Sequence, residues 1–94
     1  MHDLIVSGVI TPDATGYYDE DGFYNGKQVY THVGGTWHIW YSGAHGLSVT
    51  WLTTVVGSFP GDYWSAGNYS LIYPMSPLTP HGTATGSAIV TLPP

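Results

Sequence analysis

Apolar and polar residues alternate along this chain in short runs. No window of a dozen residues with apolar positions three and four apart escapes a Gly or Pro. The pattern therefore predicts strands and excludes long helices. Leu4 to Ile10 reads as a strand closed by Thr11-Pro12-Asp13, and Gly16 to Tyr18 as a short one before an acidic turn, Asp19-Glu20-Asp21-Gly22. Phe23-Tyr24 leads into Asn25-Gly26, a strong hairpin signal because both residue types tolerate positive φ, and Gln28 to His32 is the return strand. Gly34-Gly35 turns the chain into Thr36 to Tyr41, where Trp37, Ile39 and Tyr41 share one face and His38 and Trp40 the other.

After a turn at Ser42-Gly43-Ala44-His45-Gly46, Leu47, Val49 and Trp51 alternate with Ser48, Thr50 and Leu52 in a strand running toward Val56. Tyr63-Trp64 and Tyr69 to Tyr73 are short strand candidates, while Pro74, Pro77 and Pro80 keep their neighbourhood out of any central strand. Thr83 to Leu92 closes the chain as a strand. The two ends, "LIVSGVITP" and "GSAIVTLPP", are both small-residue, β-branched runs ending at proline, and their mutual pairing would close a small sheet. Residues 1–94 are thus expected to form one all-β domain, an antiparallel sandwich or partly open barrel of about six to eight short strands. Its core is expected to include Val6, Ile10, Tyr24, Tyr30, Trp37, Ile39, Val49, Trp51, Ile89 and Val90.

Charge changes the picture next. Lys27 is the only Lys or Arg, against six carboxylates, giving a net charge of −5. Nucleic-acid binding needs cationic side chains to displace counterions from phosphates, and anionic membrane surfaces make the same demand, so neither is an expected partner. With no cysteine, disulfides, thiolate metal sites and a Cys nucleophile are excluded. The N-terminus lacks the basic and long apolar regions of a signal peptide, which predicts synthesis in a cytoplasm. A surface of Thr, Ser, Gly, Tyr and Asn suits packing against other protein or against copies of the same chain.

"GYYDEDGFYNGKQVY" followed by "WHIWYSG" resembles a small aromatic-rich β-module with the pattern Gly-x-Tyr, Gly-x-Tyr-Asn-Gly, Tyr and a Trp-rich strand. The pattern falls on Gly16, Tyr18, Gly22, Tyr24, Asn25, Gly26, Tyr30, Trp37, Ile39, Trp40 and Tyr41, and "PHGTATGSAIVTLP" resembles the Gly-Thr-Ala-Thr-Gly tail of such modules. Modules of this kind resemble those in bacteriophage structural proteins and in repeat proteins of environmental bacteria. The resemblance covers most of the chain but departs between about Val55 and Pro80. It implies a virion or surface structural module with no catalytic residues to carry over.

Candidate chemistry is sparse. Asp19-Glu20-Asp21-Gly22 holds a fragment of calcium-loop spacing, but Phe23, Tyr24, Asn25 and Lys27 do not supply the remaining oxygens, so a solvated turn is the expectation. The five histidines show no His-x-His or His-x-x-x-His spacing. His32 and His38 flank the Gly34-Gly35 hairpin, and counting outward from it places them side by side. No Gly-x-Ser-x-Gly elbow or phosphate loop occurs, and Asn68-Tyr69-Ser70 is a formal glycosylation sequon. No enzyme activity, metal or cofactor is expected.

Eight Tyr, four Trp and two Phe exceed what so small an interior can hold, so some must face outward. Exposed Tyr and Trp mark protein interfaces and also stack on sugar rings. Contact candidates are His32, His38 and Trp40 on one strand face, and Asp62, Tyr63, Trp64, Asn68 and Tyr69 around the second aromatic cluster. The function these observations predict is a non-enzymatic structural protein assembling in many copies, located in the virion as a head-decoration or tail-associated subunit. Its partners would be itself or other virion proteins. The alternative is a carbohydrate-binding module using Tyr63, Trp64, Asp62 and Asn68.

Overall fold

In the computed structural model, residues 2–24, 26–42, 49–66 and 77–93 are described. The expected alternation produces eight strands among them: β1 (Leu4–Ser7), β2 (Gly16–Tyr24), β3 (Lys27–His32), β4 (His38–Ser42), β5 (Val49–Thr53), β6 (Tyr63–Ala66), β7 (Thr79–His81) and β8 (Ile89–Thr91). They form one antiparallel sheet in the order β7-β6-β5-β4-β3-β2-β1-β8, with no helix among the described residues. The sheet curls into a partly open barrel. The terminal strands pair as expected, Ile5 opposite Thr91, Val6 opposite Val90 and Ser7 opposite Ile89. Beyond them, Leu78 and Ala88 exchange two backbone hydrogen bonds, drawing the two edges of the sheet together. Pro80 sits in the edge strand β7, where its missing N–H removes no central ladder bond.

Alternate positions turn inward to one core: Leu4 and Val6 of β1, Tyr18 of β2, Ile39 of β4, Leu52 of β5, Trp64 and Ala66 of β6, and Val90 of β8, joined by Ile10, Ala14, Trp37, Leu78 and Ala88 from the connections. Trp64 is fully buried, and its indole Nε1 donates to Gly86 O at 3.0 Å. The Tyr18 hydroxyl donates to Ala14 O at 2.6 Å, and burial pushes its ionisation far above the ordinary range, so it stays a donor.

Several expectations are corrected. Asp19-Glu20-Asp21-Gly22 is not a turn but the middle of β2, paired with β3 through Asp19–Thr31 and Glu20–Tyr30, with a register shift before Phe23–Gln28. The bulge costs nothing at Gly22, whose φ of 75° is open to glycine. Tyr24 pairs with Lys27, and Gly26, with a φ of 75°, lies in the turn between them; Asn25 lies outside the described residues. So do Gly43 to Ser48 and the Tyr69-to-Tyr73 strand candidate. Ile89 stands outward because Val90, opposite Val6, takes the inward position and neighbours on a strand face opposite ways. Tyr24, beyond the bulge, is exposed rather than part of the main core; Val49, Trp51 and Tyr30 are half-buried.

Replacing Trp64 removes one of the two largest inward side chains and an internal hydrogen bond. Trp64→Ala is expected to destabilise the fold by about 3–5 kcal/mol, read by urea unfolding. Trp64→Phe, which keeps most of the volume but loses the bond to Gly86, should cost about 1–2 kcal/mol.

Candidate functional site

The outer face of the curled sheet is built from the other alternate positions. Trp40 of β4 lies opposite Trp51 of β5, Trp51 opposite Ser65 of β6, and Tyr63 of β6 opposite His81 of β7. This face carries a second apolar layer. Trp40, Val29 and Thr53 are buried outside the main core, and the Trp40 indole Nε1 donates to Thr53 Oγ1 at 2.8 Å, while the Thr53 hydroxyl donates to Val55 O at 2.6 Å. The connection between β5 and β6 folds back over this layer. Phe59 lies with its ring 4.5 Å from Trp51, 5.5 Å from Trp40 and 5.7 Å from Tyr63. Tyr24 closes the other side, edge-on to Trp40 at 5.3 Å. Gly57 fits because a Cβ there would meet the Tyr24 hydroxyl at 2.9 Å, and its φ is 82°.

At its outer end the cluster mixes rings with polar atoms. Tyr63 and His81 stack at 4.9 Å and 14°, and His81 Nε2 is 2.7 Å from Ser65 Oγ. Trp51 lies 5.8 Å from Tyr63 and 6.5 Å from His81. The Trp51 Nε1 is buried without a hydrogen-bond partner among the described residues.

The sequence-predicted residues are distributed differently from the expectation. His32 and His38 do not lie side by side. His38 pairs with Thr31, while His32 donates its backbone N–H to Trp37 O, and this one-residue offset puts the two rings on opposite faces. His32 is absorbed locally: Gly34 N–H donates to Nδ1 at 2.8 Å, so Nε2 carries the proton and donates to Thr15 O at 2.8 Å. His38 Nδ1 lies 2.9 Å from Thr31 Oγ1, whose hydroxyl donates to Asp21 Oδ2 at 2.7 Å. Trp40 and Trp64, expected as outward contacts, are both buried, on opposite faces of the sheet. Asp62 is turned to the backbone, its Oδ1 accepting from Thr83 N at 2.7 Å and from the Thr83 hydroxyl. Tyr63 alone of that group joins the half-exposed rings; Asn68 and Tyr69 lie outside the described residues.

Sequence reasoning misses Phe59 and His81 as contact residues and places Trp51 in the main core. The available signal was the Gly57-to-Gly61 loop, in which an aromatic residue sits between two flexible glycines. Among the described residues no group of three or more His, Asp or Glu is arranged to hold a metal, and no helix is long and apolar enough to cross a membrane. A scan against protein-family models and searches of curated proteins and solved structures found no match to this chain.

Two outcomes follow for this surface. Desolvation lowers the pKa of His38 from 6.5, outweighing the opposing pull of Asp21. The unfolded chain therefore takes up the proton first, and stability falls as pH drops below about the ordinary histidine value. His38→Gln should remove that part of the pH dependence, measured as the difference between the two proteins' urea midpoints from pH 7.5 to 5. Asp62→Ala strips an acceptor from the Thr83 turn and is expected to cost about 1–2 kcal/mol, with fast hydrogen exchange appearing at the Thr83 amide.

Proposed function

We propose that this chain is a non-enzymatic structural module that docks in many copies, with a phage virion component, a head-decoration or tail-associated subunit, as its setting. The observation that carries the reading is the exposure of large apolar side chains on a surface with few charges: Val9 is 96% exposed, Phe23 75% and Leu92 61%, with Val33 and Val55 also outward. Exposed single hydrophobes are ordinary, but here charged side chains make up only 7% of the chain, and the one cation, Lys27, lies over the Tyr41 ring at 5.8 Å. The resemblance to aromatic β-modules of phage structural proteins supports the same setting.

The polar side chains support it too, since many are spent on the fold. Asp3 accepts from Glu20 N at 2.8 Å and Asp13 from Thr15 N at 3.1 Å, while Asp62 and His32 hold turns as described. A module of this kind offers shape and neutral apolar area to a neighbour, and its partners are further copies or other virion proteins.

Analytical ultracentrifugation and electron microscopy of the purified chain test the proposal. Concentration-dependent assembly, or decoration of a purified phage shell, is expected. The double substitution Val9→Ser with Phe23→Ser should weaken that association by roughly tenfold or more without changing the circular dichroism spectrum. A chain that stays monomeric at high concentration and decorates no shell sinks the reading.

A further inference from the structure

The outer aromatic cluster offers more than packing, because its polar atoms are left unmade where its rings reach the surface. Phe59 is 45% exposed and Trp51, Tyr63 and His81 are half-exposed. Tyr63 and Trp51 present an apolar body and a polar tip, the combination suited to a ligand that is apolar on one side and hydrogen-bonding on the other. The Trp51 indole N–H, buried without an acceptor among the described residues, is a donor whose hydration has been given up. The Tyr63 hydroxyl also has no protein partner among the described residues, and His81, bound through Nε2 to Ser65, keeps Nδ1 for another group. No Lys, Arg or carboxylate belongs to the ring contacts.

We propose that Trp51, Phe59, Tyr63 and His81 form a binding site for a neutral glycan, whose pyranose C–H face stacks on the rings while its hydroxyls pair with Trp51 Nε1, Tyr63 Oη and His81 Nδ1. The neutral ring cluster favours an uncharged ligand, and the unmade donor on Trp51 calls for one bearing oxygen acceptors. Phe59, 45% exposed and with its ring 4.5 Å from that of Trp51, is the side chain whose movement would open a path to that donor. Its loop is bounded by Gly57 and Gly61, with φ of 82° and 66°, and its start is tied back by a bond from Ser58 N to Val55 O at 3.2 Å. Small rotations at the two glycines swing the Phe59 ring away from Trp51 and open the indole edge. The site lies on the β5–β6–β7 side of the sheet. It does not depend on self-assembly, which the exposed Val9, Phe23 and Leu92 would serve.

Isothermal titration with cellohexaose, maltohexaose and N-acetylchitohexaose tests the site, alongside nitrogen–proton correlation spectra of the indole resonances. Saturable binding of at least one hexaose is expected, with the Trp51 indole proton moving downfield as it gains an acceptor. Trp51→Phe keeps a ring but deletes the N–H and should weaken binding about tenfold, as should Tyr63→Phe in lesser degree. The proposal is overturned if no hexaose binds, or if a hexaose binds while the Trp51 indole resonance stays in place. Unchanged affinity in both Tyr63→Phe and a folded Trp51→Phe variant overturns it as well. Should Trp51→Phe fail to fold, the indole shift in the unsubstituted protein and Tyr63→Phe still decide.

Discussion

The indole of Trp64 has to lie between the two edges of the sheet, and the curvature of the whole molecule follows from that. A flat eight-stranded sheet would leave Leu4, Val6, Ile39, Leu52 and Val90 facing water. Curling brings β1 and β8 round toward β6 and β7, and Trp64 fills the space enclosed. Its N–H reaches Gly86 O, while Leu78 and Ala88 join the edges a few residues away. This one side chain thus supplies both volume and one of the polar ties that close the barrel.

Closure satisfies one face only, and the chain meets the second with aromatic residues. β4 and β5 turn Trp40 and Trp51 outward, too much apolar area to leave to solvent, so the following loop returns Phe59 over them and the end of β2 supplies Tyr24. The central strands are therefore covered on both sides, which is unusual for an antiparallel sheet, where one solvated face is common. Sparse charge and dense aromatics are one design seen from two directions, because a sheet with two apolar faces needs few charged positions on its strands.

Much of this architecture is legible from alternation alone. The strand class, the edge placement of Pro80 and the pairing of the chain ends follow from period-two patterning and from breakers that no helix tolerates. The bulge in β2 is not legible, because an Asp-Glu-Asp-Gly run has the composition of a turn. What holds it in the sheet is remote: Asp3 captures the Glu20 amide and Thr31 binds Asp21. Nor is register legible across Gly34-Gly35, where a one-residue offset sends His32 and His38 to opposite faces. The aromatic residues were the hardest to place. Trp40 and Trp64 have similar sequence surroundings, yet each is buried in a different layer, and what decides between them is the return of the Gly57-to-Gly61 loop, whose direction no local pattern gives. Trp51 and Phe59 were hidden for the same reason.

The Asp21–Thr31–His38 chain carries a further consequence. A hydroxyl has one proton to give, and Thr31 gives it to the Asp21 carboxylate, so toward His38 the oxygen has only a lone pair. The imidazole must then hold its proton on Nδ1 and present Nε2 bare. One hydroxyl thus removes the tautomeric freedom an outward histidine would otherwise have, and gives this surface an acceptor of fixed direction.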